Sequence, residues 1–143
     1  GDRFGLALDR DGGLWAWGRN ADGQLGLGLA GAPALTPQQV SGAPVFVTIA
    51  AGARHVIAID EQGDLWAWGD DSHGQVGNGV EAGDVLQPER ITSGGAFVAV
   101  AAGDRHSLAV DADGGLWAWG DDTYGQLGTA GPGAAALVPV SLD

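Results

Sequence analysis

An all-β fold made of three consecutive copies of one repeat is predicted for this chain of 143 residues. The tetrapeptide Trp-Ala-Trp-Gly occurs at 15–18, 66–69 and 117–120, so neighbouring copies lie 51 residues apart. Short runs of β-branched and aromatic residues recur in the same frame and are separated by glycine-containing turns, a pattern typical of strands joined by hairpins. No window of the sequence carries the apolar stripe of an amphipathic helix.

The repeat extends well beyond this tetrapeptide. Further shared segments are Gly-Gln-Leu/Val-Gly at 23–26, 74–77 and 125–128, a proline at 37, 88 and 139, and Ala-Ala-Gly-x-Arg-His at 50–55 and 101–106. The first copy of the last segment begins at Gly1 and has Phe4 in place of the histidine. We therefore predict a single domain, 1–143, whose repeats span about 1–45 (lacking its first strand), 46–96 and 97–143.

The strands follow in order within the second repeat. Phe46–Ala51 is rich in β-branched residues and is followed by His55–Ile59 and, after a polar turn that closes on Gly63, by Leu65–Trp68. A short polar turn of this kind between apolar runs is a hairpin signal. The recurring proline removes a backbone donor and therefore fits an edge strand rather than a central one.

Side-chain alternation indicates what covers these sheets. In the strand that begins at His55, Ile57 and Ile59 share one face while Val56 and Ala58 share the other. Neither face alternates to charged residues, which is typical of sheets that are buried on both sides. Twisted antiparallel sheets that repeat and bury both faces form the blades of a β-propeller.

These motifs resemble the RCC1 (regulator of chromosome condensation) repeat. The match is carried by 100–110, Val-Ala-Ala-Gly-Asp-Arg-His-Ser-Leu-Ala-Val, with the Leu-Trp-Ala-Trp-Gly and Gly-Gln-Leu-Gly segments that follow, and more loosely by 49–59. The resemblance implies blades of four antiparallel strands, usually seven to a ring. Members include a nucleotide exchange factor for a small GTPase, a photoreceptor and ubiquitin-ligase modules, so the fold alone does not imply one chemistry.

Several positions depart from particular members of that family. The photoreceptor's repeats carry Gly-Trp-Arg-His, whereas Ala53 and Asp104 stand at the tryptophan position, so we do not transfer light sensing to this chain. The wedge and the basic arms of the exchange factor are not found either. The acidic, Ala- and Gly-rich composition resembles RCC1-repeat proteins of high-GC bacteria, which are often secreted or surface-attached.

The net charge of −12 argues against two kinds of partner. The chain has six arginines, no lysine and eighteen acidic residues, so nucleic acid and acidic membrane surfaces would be repelled unless the arginines cluster on one face.

The absence of cysteine excludes disulfides and thiolate zinc sites. The segments that begin at Asp9 and Asp111 have the start of a calcium loop but not its remaining ligands, so hairpin turns explain them. No metal or cofactor is predicted.

Loop residues at equivalent points of the three repeats are the candidate contact surface. Acidic pairs follow two of the Trp-Ala-Trp-Gly segments, and the first repeat has an arginine and an asparagine there. Such loops would lie on one face of a propeller, where binding residues are commonly found. The candidate interaction residues are Arg19, Asn20, Asp70, Asp71, His73, Asp121, Asp122 and Tyr124.

Other recurring residues are predicted to be structural. We expect the ring nitrogens of His55 and His106 to bond the backbone of a neighbouring blade, and Trp17, Trp68 and Trp119 to pack between blades. No sequence typical of a nucleophile elbow is present, and no enzymatic activity is predicted.

Three blades form an open arc that exposes an apolar flank at each end. Three outcomes stay open: the arc is part of a larger ring, two copies assemble into a six-bladed ring, or the ends dock on another protein. We therefore predict a non-catalytic protein-interaction module or scaffold that is completed by self-association or within a larger assembly. The alternatives are a fragment of an exchange-factor-type or enzyme-associated propeller that needs further blades, and a bare folding unit.

Overall fold

A computed structural model describes residues 1–80, 83–91, 95–129, 131 and 133–142. Strands are the only regular secondary structure in these ranges. They are β1 (Phe4–Leu8), β2 (Leu14–Asn20), β3 (Gly31–Gln39), β4 (Phe46–Ala51), β5 (His55–Asp60), β6 (Leu65–Gly69), β7 (Val85–Ile91), β8 (Phe97–Ala102), β9 (His106–Asp111), β10 (Leu116–Gly120) and β11 (Ala136–Ser141).

The strands form three antiparallel meander sheets, one for each repeat. The orders are β1-β2-β3, β4-β5-β6-β7 and β8-β9-β10-β11. The second and third sheets have the four strands that the family resemblance implies. The first sheet has three strands, which correspond to the last three strands of the other two sheets. We refer to the sheets, with their loops, as the first, second and third blades.

The glycine that closes each Trp-Ala-Trp-Gly segment is required by a close backbone approach. Gly69 has a φ of 101°, and a Cβ there would lie 2.4 Å from the carbonyl oxygen of Arg54, the residue just before the paired strand β5. Gly18 and Gly120 have φ values of 97° and 101° and meet the same obstacle. A side chain at these positions would be strained both by φ and by contact, so the motif ends in glycine.

The core lies between the sheets, and β5 shows this arrangement directly. All six of its residues are buried. Val56 and Ala58 pack in the cluster with the first blade, whereas Ile57 and Ile59 pack in the cluster with the third. The alternation predicted from sequence is therefore confirmed as burial on both faces.

The prolines occupy the last strand of each blade, which lies at one edge of its sheet. Pro37, Pro88 and Pro139 fall in β3, β7 and β11. β3 is almost entirely exposed, β7 and β11 are exposed at three positions each, and an edge strand tolerates the missing N–H. The opposite edges of the second and third sheets are β4 and β8, and that of the first sheet is β1.

Candidate functional site: the loop rim

The loops that follow β2, β6 and β10 lie beside the turns that precede β1, β5 and β9, because Arg19, Asp70 and Asp121 donate their backbone N–H groups to the carbonyl oxygens of Arg3, Arg54 and Arg105. These loops and turns lie on one side of the arc and are together called the rim. A buried polar residue, Asn20, Asp71 or Asp122, stands where each strand passes into its loop and is at most 2% exposed. In each loop its Oδ1 accepts the backbone N–H five residues later, at 3.1, 2.9 and 3.0 Å in the first, second and third blades. These bonds fix the loops from inside.

The second polar side-chain atom of Asn20 and of Asp122 forms a hydrogen bond with a different kind of group in each blade. Asn20 donates from Nδ2 to the carbonyl oxygen of Leu29 at 2.8 Å, and Asp122 accepts from the Thr129 hydroxyl at 2.9 Å. Burial raises the pKa of Asp71 to about 6, with the nearby carboxylate of Asp70 adding to the effect. Asp71 therefore places an ionisable carboxyl at the position that the neutral amide of Asn20 occupies in the first blade.

The first residues of the acidic pairs are also occupied within their loops. Asp70 and Asp121 are each 8% exposed, and each accepts the backbone N–H two residues later, from Ser72 at 2.9 Å and from Thr123 at 3.0 Å. The hydroxyl and the backbone N–H of Thr123 hold the pKa of Asp121 below its usual value. The exposed acidic surface expected from these pairs is corrected accordingly: their carboxylates are largely turned into the loops.

The glutamines of the Gly-Gln-x-Gly segments form hydrogen bonds both within their loop and to the next blade. The side chain of Gln75 accepts the N–H of His73 at 2.8 Å, and its main-chain oxygen accepts the indole N–H of Trp119 in the next blade at 2.9 Å. Gln24 likewise accepts the indole N–H of Trp68, at 3.0 Å. Each glutamine therefore both shapes its loop and joins two blades.

What the rim presents to solvent is a row of arginines with one aromatic ring. Arg19 lies 3.6 Å from Asp22, and Arg54 lies 3.9 Å from the same carboxylate. Arg105 approaches the His73 ring nitrogen at 3.5 Å, and Tyr124 is 90% exposed. Four of the six arginines, Arg3, Arg19, Arg54 and Arg105, lie at this end of the blades, whereas Arg10 and Arg90 lie elsewhere. Acidic neighbours offset the four, so the rim has mixed charge rather than a basic patch.

Arg54 and Arg105 were not among the residues that sequence reasoning selected for this surface. The signal was present, since an arginine recurs at 3, 54 and 105 immediately before the histidine or phenylalanine position. A small concavity of about 200 Å³ lies between Arg54 and Arg105 and is lined by Asp2, Ala53, Asp70, Ser72, His73 and Asp104.

His55 is fully buried between the second and third blades. Its Nε2 lies 2.9 Å from the Ser107 hydroxyl, which itself donates to the carbonyl oxygen of Gln75 at 2.8 Å. Because that hydroxyl proton is used, Nε2 must carry the proton and donate, and the buried Nδ1 has no partner among the described residues. Burial lowers the pKa of His55 to about 4. The nearest partner is a side chain rather than the backbone that we expected.

His106 is less enclosed than His55 in the described residues. Its side chain is partly exposed and lines an open concavity with Tyr124 and Gln126 at the end of the arc. Trp68 and Trp119 are fully buried between blades, whereas Trp17, which has no blade in front of it, is partly exposed.

The aspartate that opens each hairpin turn, Asp9, Asp60 or Asp111, forms its hydrogen bonds within its own blade. Asp60 accepts the N–H groups of Gln62 and Asp64, both at 2.9 Å, and the indole N–H of Trp66 at 2.8 Å. The corresponding bonds from the indole and the turn hold the pKa values of Asp9 and Asp111 below their usual range. No cluster of three potential metal ligands occurs among the described residues.

Comparison with protein-family models gives matches along most of the chain. The Regulator of chromosome condensation (RCC1) repeat matches residues 11–59, 62–110 and 113–143, and a second description of the repeat matches 46–75 and 97–126. No helix that could span a membrane is found in the described ranges.

Relatives of known name share this repeat. The chain is 42% identical over 133 residues to the ultraviolet-B receptor UVR8 of Arabidopsis thaliana. That match covers 90% of this chain and 30% of the receptor. The chain is 39% identical over 127 residues to the protein RCC2 homolog of Danio rerio, covering 86% of this chain and 25% of that protein. The chain thus spans less than a third of either relative.

Solved structures give the same result. Prp20p of Saccharomyces cerevisiae, described with its binding to Gsp1p and histones, matches all of this chain and 37% of its own with a TM-score of 0.91 and 28% identity. Human WBSCR16 matches 99% of this chain with a TM-score of 0.87, and its 22% identity supports the fold alone. All four relatives are eukaryotic and give no support to the bacterial origin that the composition suggested. With its repeat motifs, its propeller-type blades and these matches, the chain belongs to the RCC1 repeat family.

Proposed function

We propose that this chain is a non-catalytic protein-interaction module whose rim binds a partner protein. The observation that carries the proposal is the combination of fixed loops and exposed anchors. Buried Asn20, Asp71 and Asp122 hold the loop backbones, while the Tyr124 ring and the Arg54 and Arg105 side chains face solvent.

Loops of this kind suit protein recognition energetically. A surface that is already ordered loses little conformational entropy when it binds, so more of its contact energy appears as affinity. Tyrosine and arginine are enriched among the residues that dominate interface energies. The mixed charges of the rim favour a partner surface with both signs of charge rather than a polyanion such as nucleic acid.

The polar groups of the rim support a binding role better than a catalytic one. A general base needs a free lone pair within reach of substrate. Asp71 and Asp122 instead accept loop N–H groups in the interior, and His55 is enclosed between blades with its Nε2 on Ser107.

The open arc favours completion by further blades, from a second copy or a larger assembly. The chain covers 37% of Prp20p, a protein described as binding Gsp1p and histones. That relative supports protein binding as the activity of this fold, and it does not identify the partner of this chain.

Affinity capture with matched baits tests the rim. The wild-type chain, an Arg54→Ala/Arg105→Ala/Tyr124→Ala variant and an Arg10→Ala control are used as baits, because Arg10 lies in an exposed hairpin turn away from the rim. We expect a protein captured by the wild type and the control to be lost with the rim variant, and its binding by calorimetry to follow the same order. Identical capture by all three baits would refute the rim as the binding surface.

A second candidate function rests on the membership of the RCC1 repeat family, which includes a nucleotide exchange factor for a small GTPase. If this chain formed part of an exchange-factor-type propeller, it would accelerate nucleotide release from a small GTPase. Release of a fluorescent nucleotide is the assay, and an unchanged rate at saturating chain would exclude this function for the three blades alone.

A further inference from the structure

Arg105 differs from the other arginines of the rim in the group that it faces. Arg19 and Arg54 share the carboxylate of Asp22, at 3.6 and 3.9 Å. Arg105 forms no ion pair with a carboxylate in the part of the chain that the structure describes. Its Nη1 instead lies 3.5 Å from the Nε2 atom of His73. The charge of this one rim arginine is therefore not compensated by an adjacent carboxylate.

A single difference between two repeats accounts for the unpaired arginine. Arg105 lies 51 residues after Arg54, and His73 lies 51 residues after Asp22, so both pairs occupy the same place at successive blade junctions. The junction of the first and second blades pairs an arginine with an aspartate, whereas the junction of the second and third blades pairs an arginine with a histidine. Both junctions lie within the arc, with a described blade on each side.

The imidazole of His73 offers Arg105 only an uncharged acceptor. A guanidinium can donate but cannot accept, so Nε2 of His73 accepts and the ring proton lies on Nδ1, which is 2.9 Å from the Ser72 hydroxyl oxygen. The ring is neutral in this tautomer. It therefore does not compensate the charge of Arg105 as a carboxylate does at the preceding junction.

A small concavity adjoins this arginine on the rim. Its volume is about 200 Å³, and Arg54, Arg105, Ser72 and His73 all contribute to its wall. The Arg54 side chain is 48% exposed, and Arg105 and Ser72 are exposed as well. Pockets for drug-sized molecules measure about 300–1,000 Å³. The concavity therefore fits one inserted side chain better than a whole small molecule.

Carboxylates in the same wall limit the charge of the group that can enter. Asp2 already lies within 3.9 Å of two other arginines, and Asp70 is 8% exposed and accepts the Ser72 N–H at 2.9 Å, whereas Asp104 is exposed. Coulomb repulsion from these groups doubles for a doubly charged ligand such as phosphate. A singly charged carboxylate is therefore favoured.

We infer that this concavity binds the side-chain carboxylate of a glutamate or aspartate of the partner protein between Arg54 and Arg105. Charge-assisted hydrogen bonds from guanidinium groups to carboxylates are short and strong, and the planar guanidinium matches the carboxylate geometry. The bound carboxylate gives Arg105 the kind of partner that Asp22 gives Arg54. This inference rests on the proposed function, because it names the group of the partner that the rim recognises.

A minimal probe tests the site without the partner. The probe is N-acetylglutamic acid α-amide, which carries one carboxylate, and its neutral match is N-acetylglutamine amide. We expect a saturable shift of the Arg105 guanidinium Nε–Hε resonance and of the His73 ring resonances with the first probe and none with the second, by nuclear magnetic resonance. N-acetyl-O-phosphoserine amide is a third probe, and tighter binding of it would overturn the assignment to a carboxylate.

Variants at position 73 test the reason for the binding. His73→Asp gives the second junction the carboxylate that the first already has, so it should weaken binding of the glutamate probe by about tenfold or more through occupation of Arg105 and repulsion. His73→Asn is the matched control, because it has the same size as the aspartate variant without its charge. It should bind the probe as the wild type does.

Two further variants complete the set. Arg105→Ala should abolish the saturable shift of the His73 ring, because it removes the donor. Arg10→Ala changes the net charge by the same unit as His73→Asp but lies in an exposed hairpin turn away from the rim, so it reports long-range repulsion alone and should bind like the wild type. Circular dichroism verifies that each variant is folded.

The inference is overturned if the glutamate probe gives no saturable shift at Arg105 of the wild type, a result that needs no variant. Equal binding by His73→Asp and His73→Asn would overturn it as well. Loss of a captured partner in the rim variant, with no probe bound by the wild type, would leave the rim as a binding surface and remove the carboxylate site. A probe bound at Arg105, with identical capture by all three baits, would leave the site and remove the proposed function.

Discussion

Replacing Trp68 by alanine should detach the first blade from the second. The indole is fully buried, stacks on Phe46 with ring centroids 5.9 Å apart, and donates to the Gln24 carbonyl oxygen at 3.0 Å. Removing a buried tryptophan costs about 3–5 kcal/mol, and the buried carbonyl that loses its donor adds to this cost. We therefore expect the free energy of unfolding to fall by about 4 kcal/mol.

The chain supplies its own controls for this substitution. Trp119→Ala should behave like Trp68→Ala, because Trp119 is equally buried and bonds Gln75 at 2.9 Å. Trp17→Ala should cost only about 1 kcal/mol, since Trp17 is partly exposed and has no blade in front of it. The three residues share one motif, so intrinsic strand propensity cannot explain a difference between them.

Urea denaturation followed by circular dichroism measures these free energies. Equal losses for Trp17→Ala and Trp68→Ala in dilute protein would refute the assignment of Trp68 to the junction between blades.

Three further substitutions test the buried polar groups. Asp71→Asn should stabilise the chain at pH 7 by up to about 3 kcal/mol, because the buried carboxyl has a pKa of about 6 and Asn20 fills the same position in the first blade; pH-dependent urea melts measure this. Asp60→Ala should cost about 2 kcal/mol in thermal melts, since it leaves two backbone N–H groups and an indole N–H without an acceptor. Ser107→Ala should cost about 1–3 kcal/mol by urea melts, because it removes the hydroxyl on His55 Nε2.

The pH dependence of the free energy of unfolding tests the Asp71 prediction most directly. A carboxyl whose folded pKa is raised loses its proton first in the unfolded state, so its contribution to stability falls as the pH rises from about 4 to about 6. His55 acts in the opposite direction over a similar range: its folded pKa is lowered to about 4, so stability falls as the pH drops from about 6.5 to 4. Asp71→Asn should leave the His55 slope alone, and an unchanged pH profile would contradict the burial of an ionisable carboxyl.

Controls for the other two substitutions come from equivalent positions. Asp9→Ala should be milder than Asp60→Ala, because Asp9 is exposed and water can replace its bonds, whereas Asp60 is only 3% exposed. Val56 stands at the position of Ser107 in the second blade, so Val56→Ala reports the effect of lost volume without a hydrogen bond. Equal costs within each pair would show that the hydrogen bonds contribute little.

The blade architecture could be predicted because it depends on local alternation. The side chains of β5 fall on opposite faces by backbone geometry, and the absence of charge on either face requires two neighbouring sheets. The recurring proline likewise indicates a strand at the edge of a sheet. The closing glycine indicates a close approach of two backbones, and both features are local to one blade. Such features are visible in one repeat and are reinforced by the other two.

The rim could not be predicted to the same extent, because its side-chain directions depend on loop conformation. Asp70 and Asp71 are adjacent and charged, which suggests solvent exposure, yet a five-residue bond to the Val76 N–H turns Asp71 inward. The asparagine at position 20 was the available signal. A position that holds Asp in two repeats and Asn in the third needs an acceptor oxygen rather than a charge.

The His55 contact shows a different limit. Its partner, Ser107, has no counterpart in the second blade, where Val56 occupies that position. A periodic reading assigns the same environment to each copy of a repeat and therefore misses a contact that only one junction makes. The two ends of the arc follow the same logic, because Trp17 and Tyr124 have the sequence of junction residues but no neighbouring blade. Their exposure is set by the neighbouring blade rather than by their own repeat, so the repeat sequence alone does not predict it.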